Sequence, residues 1–164
     1  VVPADEPDVG SSGSVQSSEH VRSCLDHLAR LAATGVSSDW TRRRGLEAVA
    51  RHLGADHVRV TDRHGRVRVA TPGTESWPAE ARWGLPGVRP EQFLFVATAE
   101  RIPCVAGGTL GDLGVRSVLH LPVCDRGVSL GALDAAWCHR VERWDDEDGP
   151  LVRNVARLLL LDDT

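Results

Sequence analysis

The chain has 164 residues, 41% of them hydrophobic, which suits one globular domain of ordinary size with a proper core. Its net charge of −4 argues against nucleic acid as the main partner, because phosphate binding asks for a basic face. No apolar run approaches the ~20 residues of a membrane span, and the small, acidic start is unlike a signal peptide, so a cytoplasmic location without membrane contact is expected.

Lys, Tyr and Met are missing altogether, so all 19 basic residues are arginine, a pattern that reads as coding bias. The missing start Met suggests a piece of a longer or processed protein. Four cysteines, Cys24, Cys104, Cys124 and Cys138, match no zinc spacing and form no C-x-x-C pair. They read as idle or buried thiols.

Residues 1–16 are rich in Asp, Glu, Pro, Gly and Ser and poor in large apolar side chains, which predicts a disordered tail or linker. Residues 17–164 form the expected single domain. Ser17-Ser18-Glu19 opens a predicted helix in which Val21, Leu25, Leu28 and Ala32 recur at helical spacing up to Gly35. A second helix is predicted from Ser38-Asp39 to about Leu53, with Leu46, Val49, Ala50 and Leu53 as its stripe and Gly54 as its stop. Arg42-Arg43-Arg44 is the one basic cluster and reads as a solvated helix face.

The period then changes to two. Val58 and Val60, then Val67 and Val69, alternate with polar residues around Asp62-Arg63-His64-Gly65, which predicts a β-hairpin with its valines on one face. Arg59, Thr61, Arg66 and Arg68 fall on the other. Residues 72–90 are punctuated by four prolines and read as a long covering excursion. Pro90 opens a predicted helix over 91–101, followed by a short extended run at Ile102-Pro103-Cys104-Val105 and a Gly-rich loop over 106–114. Two strands, Val115–Val123 and Val128–Trp137, are joined by a tight turn at Asp125-Arg126-Gly127. Both are apolar on both faces, which places them at the centre of a covered sheet. A last amphipathic helix is predicted from near Trp144, with Asp145 to Asp148 at its positive end and Leu151, Val155, Leu158 and Leu159 as its apolar face.

This order of elements resembles the GAF domain family. The resemblance is carried by Leu113-Gly114-Val115-Arg116-Ser117-Val118-Leu119-His120-Leu121-Pro122-Val123, then Gly127-Val128-Ser129-Leu130-Gly131-Ala132-Leu133, then Trp144 and the closing helix. Residues 97–105 look like the family's step before the Gly-rich loop, with Glu100-Arg101 where Gly is usual. The resemblance covers roughly residues 20–161. It implies an α+β fold, with a central antiparallel sheet of five or six strands, terminal helices on one face, and loops and short helices over the other.

It also implies a regulatory sensor of a bacterial signalling protein, which binds a small molecule or relays a signal to an output domain outside this chain. The pocket would draw on Phe93, Cys104, Thr109, Arg116, Ser117 and His120, with Arg59 and Arg68 able to meet an anionic ligand if covered. No cofactor or metal is required and no catalytic residue is assigned. The Asn-Lys pair of the family's cyclic-nucleotide binders is missing, with Asp134-Ala135 near its place. The alternatives are a dimerisation module with a vestigial pocket filled by Phe93, Phe95 and Trp83, and a cysteine-dependent methionine sulfoxide reductase built on Cys104 with Cys124 or Cys138. Bilin attachment at Cys138-His139 and haem ligation by His120 or Cys104 are weaker readings. A homodimer through the terminal helices is expected, with Leu160 and Leu161 off the main stripe as its apolar contact.

Overall fold

The computed structural model of the protein describes residues 39–74, 91–104 and 107–161, together with Glu19, Arg22, Ser23, Asp26, His27 and Arg30. The predicted tail, most of the first helix, most of the 72–90 excursion, Cys24 and Trp83 lie outside the described residues. The six isolated residues between 19 and 30 are all helical.

Helix α1 spans Asp39–Leu53 and buries Leu46, Val49 and Ala50. Its predicted stop is a Schellman closure. Gly54 takes φ 60°, its N–H donates to the Arg51 carbonyl at 3.2 Å, and Ala55 N–H reaches the Ala50 carbonyl at 2.9 Å. The chain then turns directly into strand β1, His57–Asp62, and strand β2, Val67–Ala70. In the hairpin turn the Asp62 carboxylate accepts the amides of His64 at 2.8 Å and Arg66 at 3.0 Å. Val58, Val60 and Val69 enter the core as expected, but Val67 is half exposed. A register shift between Val60 and Thr61 pairs Val67 with Thr61, so the valines do not all share one face.

Strand β3 is Leu94–Val96, β4 is Ser117–Asp125 and β5 is Val128–Trp137. The five strands make one sheet in the order β2-β1-β5-β4-β3, antiparallel throughout. The helix predicted over 91–101 is therefore corrected. Leu94, Phe95 and Val96 pair with His120, Leu119 and Val118 along the otherwise open edge of β4. Phe95 meets Trp137 edge-on at 6.3 Å. Tertiary pairing overrides a spacing that also suited a helix. The β4–β5 turn is Arg126-Gly127, with φ 49° and 79°, both positive as a two-residue hairpin with right-handed twist requires.

Helix α2 runs over Asp148–Leu161, four residues later than predicted from Trp144. Pro150 explains the delay: it lacks an N–H, and a start at Trp144 would put it in the helix interior instead of the first turn. Asp145 to Glu147 instead form a turn, with the Asp145 carboxylate accepting the Glu147 amide at 3.0 Å. Trp144 still packs on the core.

Alternation along the strands sorts the sheet into two faces. One face presents Val58, Val60, Leu119, Leu121, Val123, Leu133, Ala135 and Trp137 to Leu46 and Val49 of α1 and Val152, Val155 and Leu159 of α2. Leu160 also belongs to this core and is 9% exposed, so the expectation that it is free for a dimer contact is corrected. On the other face a smaller cluster of Ala99, Ile102, Leu110, Val115, Val118 and Ala136 covers one end. Its lid includes a 3₁₀ turn at Leu110–Leu113, inside the predicted Gly-rich loop.

At Gly131 the β1–β5 pairing leaves no room for a side chain. A Cβ there would lie 1.9 Å from the Thr61 carbonyl oxygen. Gly131→Ala is therefore expected to lower unfolding free energy by about 3 kcal/mol or more in urea titration. Asp62 gives a pH signature. Burial pushes its carboxyl up, but the amides of Arg66 and His64 and the Arg68 guanidinium outweigh this and hold it below its ordinary 3.8. Its stabilisation is thus present above that value and lost as pH falls through the lower folded one. Asp62→Ala should cost about 1 kcal/mol at pH 7, with the difference from the parent fading in strongly acidic urea titrations.

Candidate functional site

The face of the sheet turned away from α1 and α2 carries three ionisable side chains in one row. Arg59 of β1 is the register partner of Asp134 on β5, and Asp134 is the register partner of His120 on β4. Side chains directly opposite on neighbouring strands lie within reach of one another on the same face. Asp134 uses one oxygen for each neighbour. Oδ2 accepts the Arg59 Nε–H at 3.1 Å, and Oδ1 lies 2.6 Å from His120 Nδ1. The three are 2%, 0% and 1% exposed, so the row is as deeply buried as the apolar core behind it.

This geometry fixes the histidine. An ionised carboxylate only accepts, so the hydrogen at this contact sits on Nδ1, and the ring's second polar position is Nε2. The arginine and the carboxylate offset one another in charge. Burying such a set costs several kcal/mol of desolvation per ion, and attraction recovers this only when the geometry is good and every donor and acceptor is used.

The predicted site residues divide into those that join this row and those that do not. Arg59 and His120 join it, on either side of Asp134. Arg68 stands at the rim, its side chain 36% exposed and its Nε 3.4 Å from Asp62. Ser117 is buried, but its hydroxyl is used structurally: it donates to the Ala97 carbonyl at 2.8 Å and accepts the Val141 amide at 2.9 Å. Thr109 gives its amide, at 2.7 Å, and its hydroxyl, at 3.2 Å, to the Asp112 carboxylate at the head of the 3₁₀ turn. Arg116 and Phe93 are exposed, and Phe95 lies on the helix-covered face, so neither phenylalanine fills a pocket beside the row.

Cys104 packs against the smaller cluster. Burial, and secondarily the Asp112 charge, push its thiol up, opposite to what a nucleophilic thiolate needs. Burial and Asp56 push the Cys138 thiol up in the same way. His139 lies beyond the end of β5, 62% exposed and 3.7 Å from Asp56. Among the described residues no cluster of three or more His, Cys, Asp or Glu is placed to hold a metal ion, and no helix is long and apolar enough to cross a membrane.

Asp134 is the residue that sequence reasoning passed over as a site residue. The signal was present, because an acid between Leu133 and Ala135 in a strand apolar on both faces must be paired if it is buried. Arg59 and His120 are the only charged or imidazole side chains at its register positions on the two flanking strands.

Comparison with known proteins agrees with this architecture. The sequence profile of the GAF domain matches residues 42–161. No curated protein matches the sequence. Among solved structures, the phycoerythrobilin-bound GAF domain of a cyanobacterial phytochrome is similar at 14% identity and a TM-score of 0.62, over 89% of this chain and 95% of that one. The GAF domain of a phosphoenolpyruvate-protein phosphotransferase from Coxiella burnetii is similar at 16% identity and a TM-score of 0.57, over 93% and 95%. Free methionine-R-sulfoxide reductase from Neisseria meningitidis, solved with its substrate, is similar at 17% identity and a TM-score of 0.53, over 93% and 91%. At these identities the likeness is one of fold.

Removing one member of the row strands its neighbours. Asp134→Ala is expected to cost about 3–5 kcal/mol of unfolding free energy. The triple replacement Arg59→Met/Asp134→Leu/His120→Leu is expected to recover all or most of that loss, because no charge is left buried. Urea denaturation of both variants checks the pair of outcomes.

Proposed function

This chain belongs to the GAF domain family, and on that premise we propose that it is a regulatory sensor domain. It takes a small polar molecule over the Arg59–Asp134–His120 row and passes its occupancy to an output domain outside this chain. The observation that carries this reading is the row itself. A guanidinium, a carboxylate and an imidazole lie side by side in the middle of the sheet, where apolar residues would be at least as stable. Ionisable groups held at such a position are a functional-site signature.

The class of ligand follows from the chemistry of the row. The row brings a guanidinium and an imidazole together around one carboxylate. These groups favour a molecule that presents oxygen acceptors, such as a carboxylate or an amide carbonyl. Selectivity would come from hydrogen bonding to those acceptors. The reductase alternative is less well supported, since both described cysteines with shifted thiols are shifted upward.

A thermal-shift screen with small carboxylates and amides that carry no phosphate tests the reading. A compound at about a hundred times its Kd should stabilise the fold by about 2.7 kcal/mol, or roughly 5–10 °C in Tm. The Arg59→Met/Asp134→Leu/His120→Leu variant should remain folded and lose that shift. Retention of the shift by the triple variant would overturn the assignment, as would a panel without a single stabilising compound together with a ligand-free native mass spectrum.

A further inference from the structure

We propose that the cleft between α1 and the described helical residues Ser23, His27 and Arg30 is a second ligand site, for a small anion with two or more linked phosphate groups. It lies on the outward side of α1, whose inward side packs on the sheet face opposite the Arg59 row. It is therefore separate from the site proposed above.

The cleft has a volume of about 390 Å³, the size of a small-molecule site. Among the described residues, His27 and Arg30 line one wall, and Arg44, Glu47 and Arg51 of α1 line the other. Three guanidinium groups thus face one carboxylate in a chain whose net charge is −4. A helix pair held only by surface ion pairs would interleave the signs, whereas an excess of like charge across a cleft repels and is relieved by an anion.

The individual side chains fit that task. Arg44 lies over the Trp40 ring with its guanidinium carbon 5.4 Å from the centroid, which orients it while the indole stays in water. Its contact with Glu47 is a loose 3.4 Å, between side chains 60% and 45% exposed, weak enough to be exchanged for a better anion. Arg30 donates its Nε–H to the Asp26 carbonyl at 3.1 Å, which holds the side chain beside the cleft it lines.

Spacing selects the ligand. Arg44 and Arg51 are seven residues apart on α1, two turns or a rise of about 10 Å. Linked phosphates span more of that rise than one orthophosphate, so each group can be met by its own guanidinium fork.

Isothermal titration of the full chain with inorganic pyrophosphate and tripolyphosphate, at low salt and without divalent cations, tests the proposal. Saturable one-to-one binding is expected, with orthophosphate weaker by about tenfold or more and all affinities falling as salt is raised. Arg44→Gln/Arg51→Gln should weaken pyrophosphate by about tenfold or more, and Arg30→Gln should weaken it independently. Glu47→Gln should tighten binding by about twofold, and the hairpin-turn variant Arg63→Gln should leave it unchanged. These side chains are exposed, so circular dichroism should show every variant folded. The proposal is overturned by absent or non-saturating binding, by orthophosphate binding as tightly as pyrophosphate, or by undiminished binding in the folded Arg44/Arg51 double variant. It is also overturned if the Arg59→Met/Asp134→Leu/His120→Leu variant loses pyrophosphate binding, which would place the anion on the sheet.

Discussion

A carboxylate with no solvent exposure, held across three strands by a guanidinium and an imidazole, is the constraint around which the rest of this fold is arranged. Asp134 sits at the centre of β5, the central strand of the sheet. Its two oxygens are divided between β1 and β4, so one side chain ties together strands that are far apart in sequence. The backbone ladder fixes how far apart the strands lie. The row adds registration, because a slip of one residue would turn Asp134 toward α1 and α2 and put Leu133 or Ala135 in its place. An apolar residue would offer no such penalty. The same burial that makes the row costly makes its registration strict.

The central strands, the first described helix and the closing helix were legible in the sequence because their periods are unambiguous and their turns carry specific chemistry. Gly54 and Arg126-Gly127 take positive φ where a stop and a tight turn were expected. Gly131 gives a physical reason for its place in the family pattern, since the Thr61 carbonyl occupies the space of a side chain. Two elements were misread for identifiable causes. Residues 94–96 satisfy both periods over so short a run, and only the unpaired edge of β4 decides between them. The start of α2 was placed too early because acidic residues were weighed above Pro150.

The site was less legible than the fold. Arg59 and His120 were recognisable as candidates, yet nothing local to either says that they meet at Asp134. Their meeting is a property of register, set by the β1–β5 pairing and by the β4–β5 hairpin with its shift between Val123 and Cys124. Ser117 and Thr109 show the converse. Each has a residue type common in binding sites, and each is consumed by a loop hydrogen bond that one-dimensional pattern does not reveal. Val67 similarly obeys strand alternation in sequence and loses its core position to a register shift in space.

What connects the polar face to the helices is the far end of β5. Three residues beyond Asp134, Trp137 has crossed to the helical face, where its Nε1–H donates to the Leu53 carbonyl at 3.1 Å, at the C-terminal end of α1. The Asp56 amide donates to the Ala136 carbonyl at 3.0 Å, and the Asp56 carboxylate accepts the Cys138 amide at 2.6 Å. The α1–β1 junction is thus pinned to β5 on both sides of the tryptophan. One turn back, His52 Nε2 lies 2.7 Å from the Asp148 carboxylate, which joins α1 to the first turn of α2. These hydrogen bonds, with the packing of Trp137 against Phe95 and the core, couple the position of β5 to the ends of both helices. That is a physical requirement for any domain that converts occupancy on one side of a sheet into helix movement on the other.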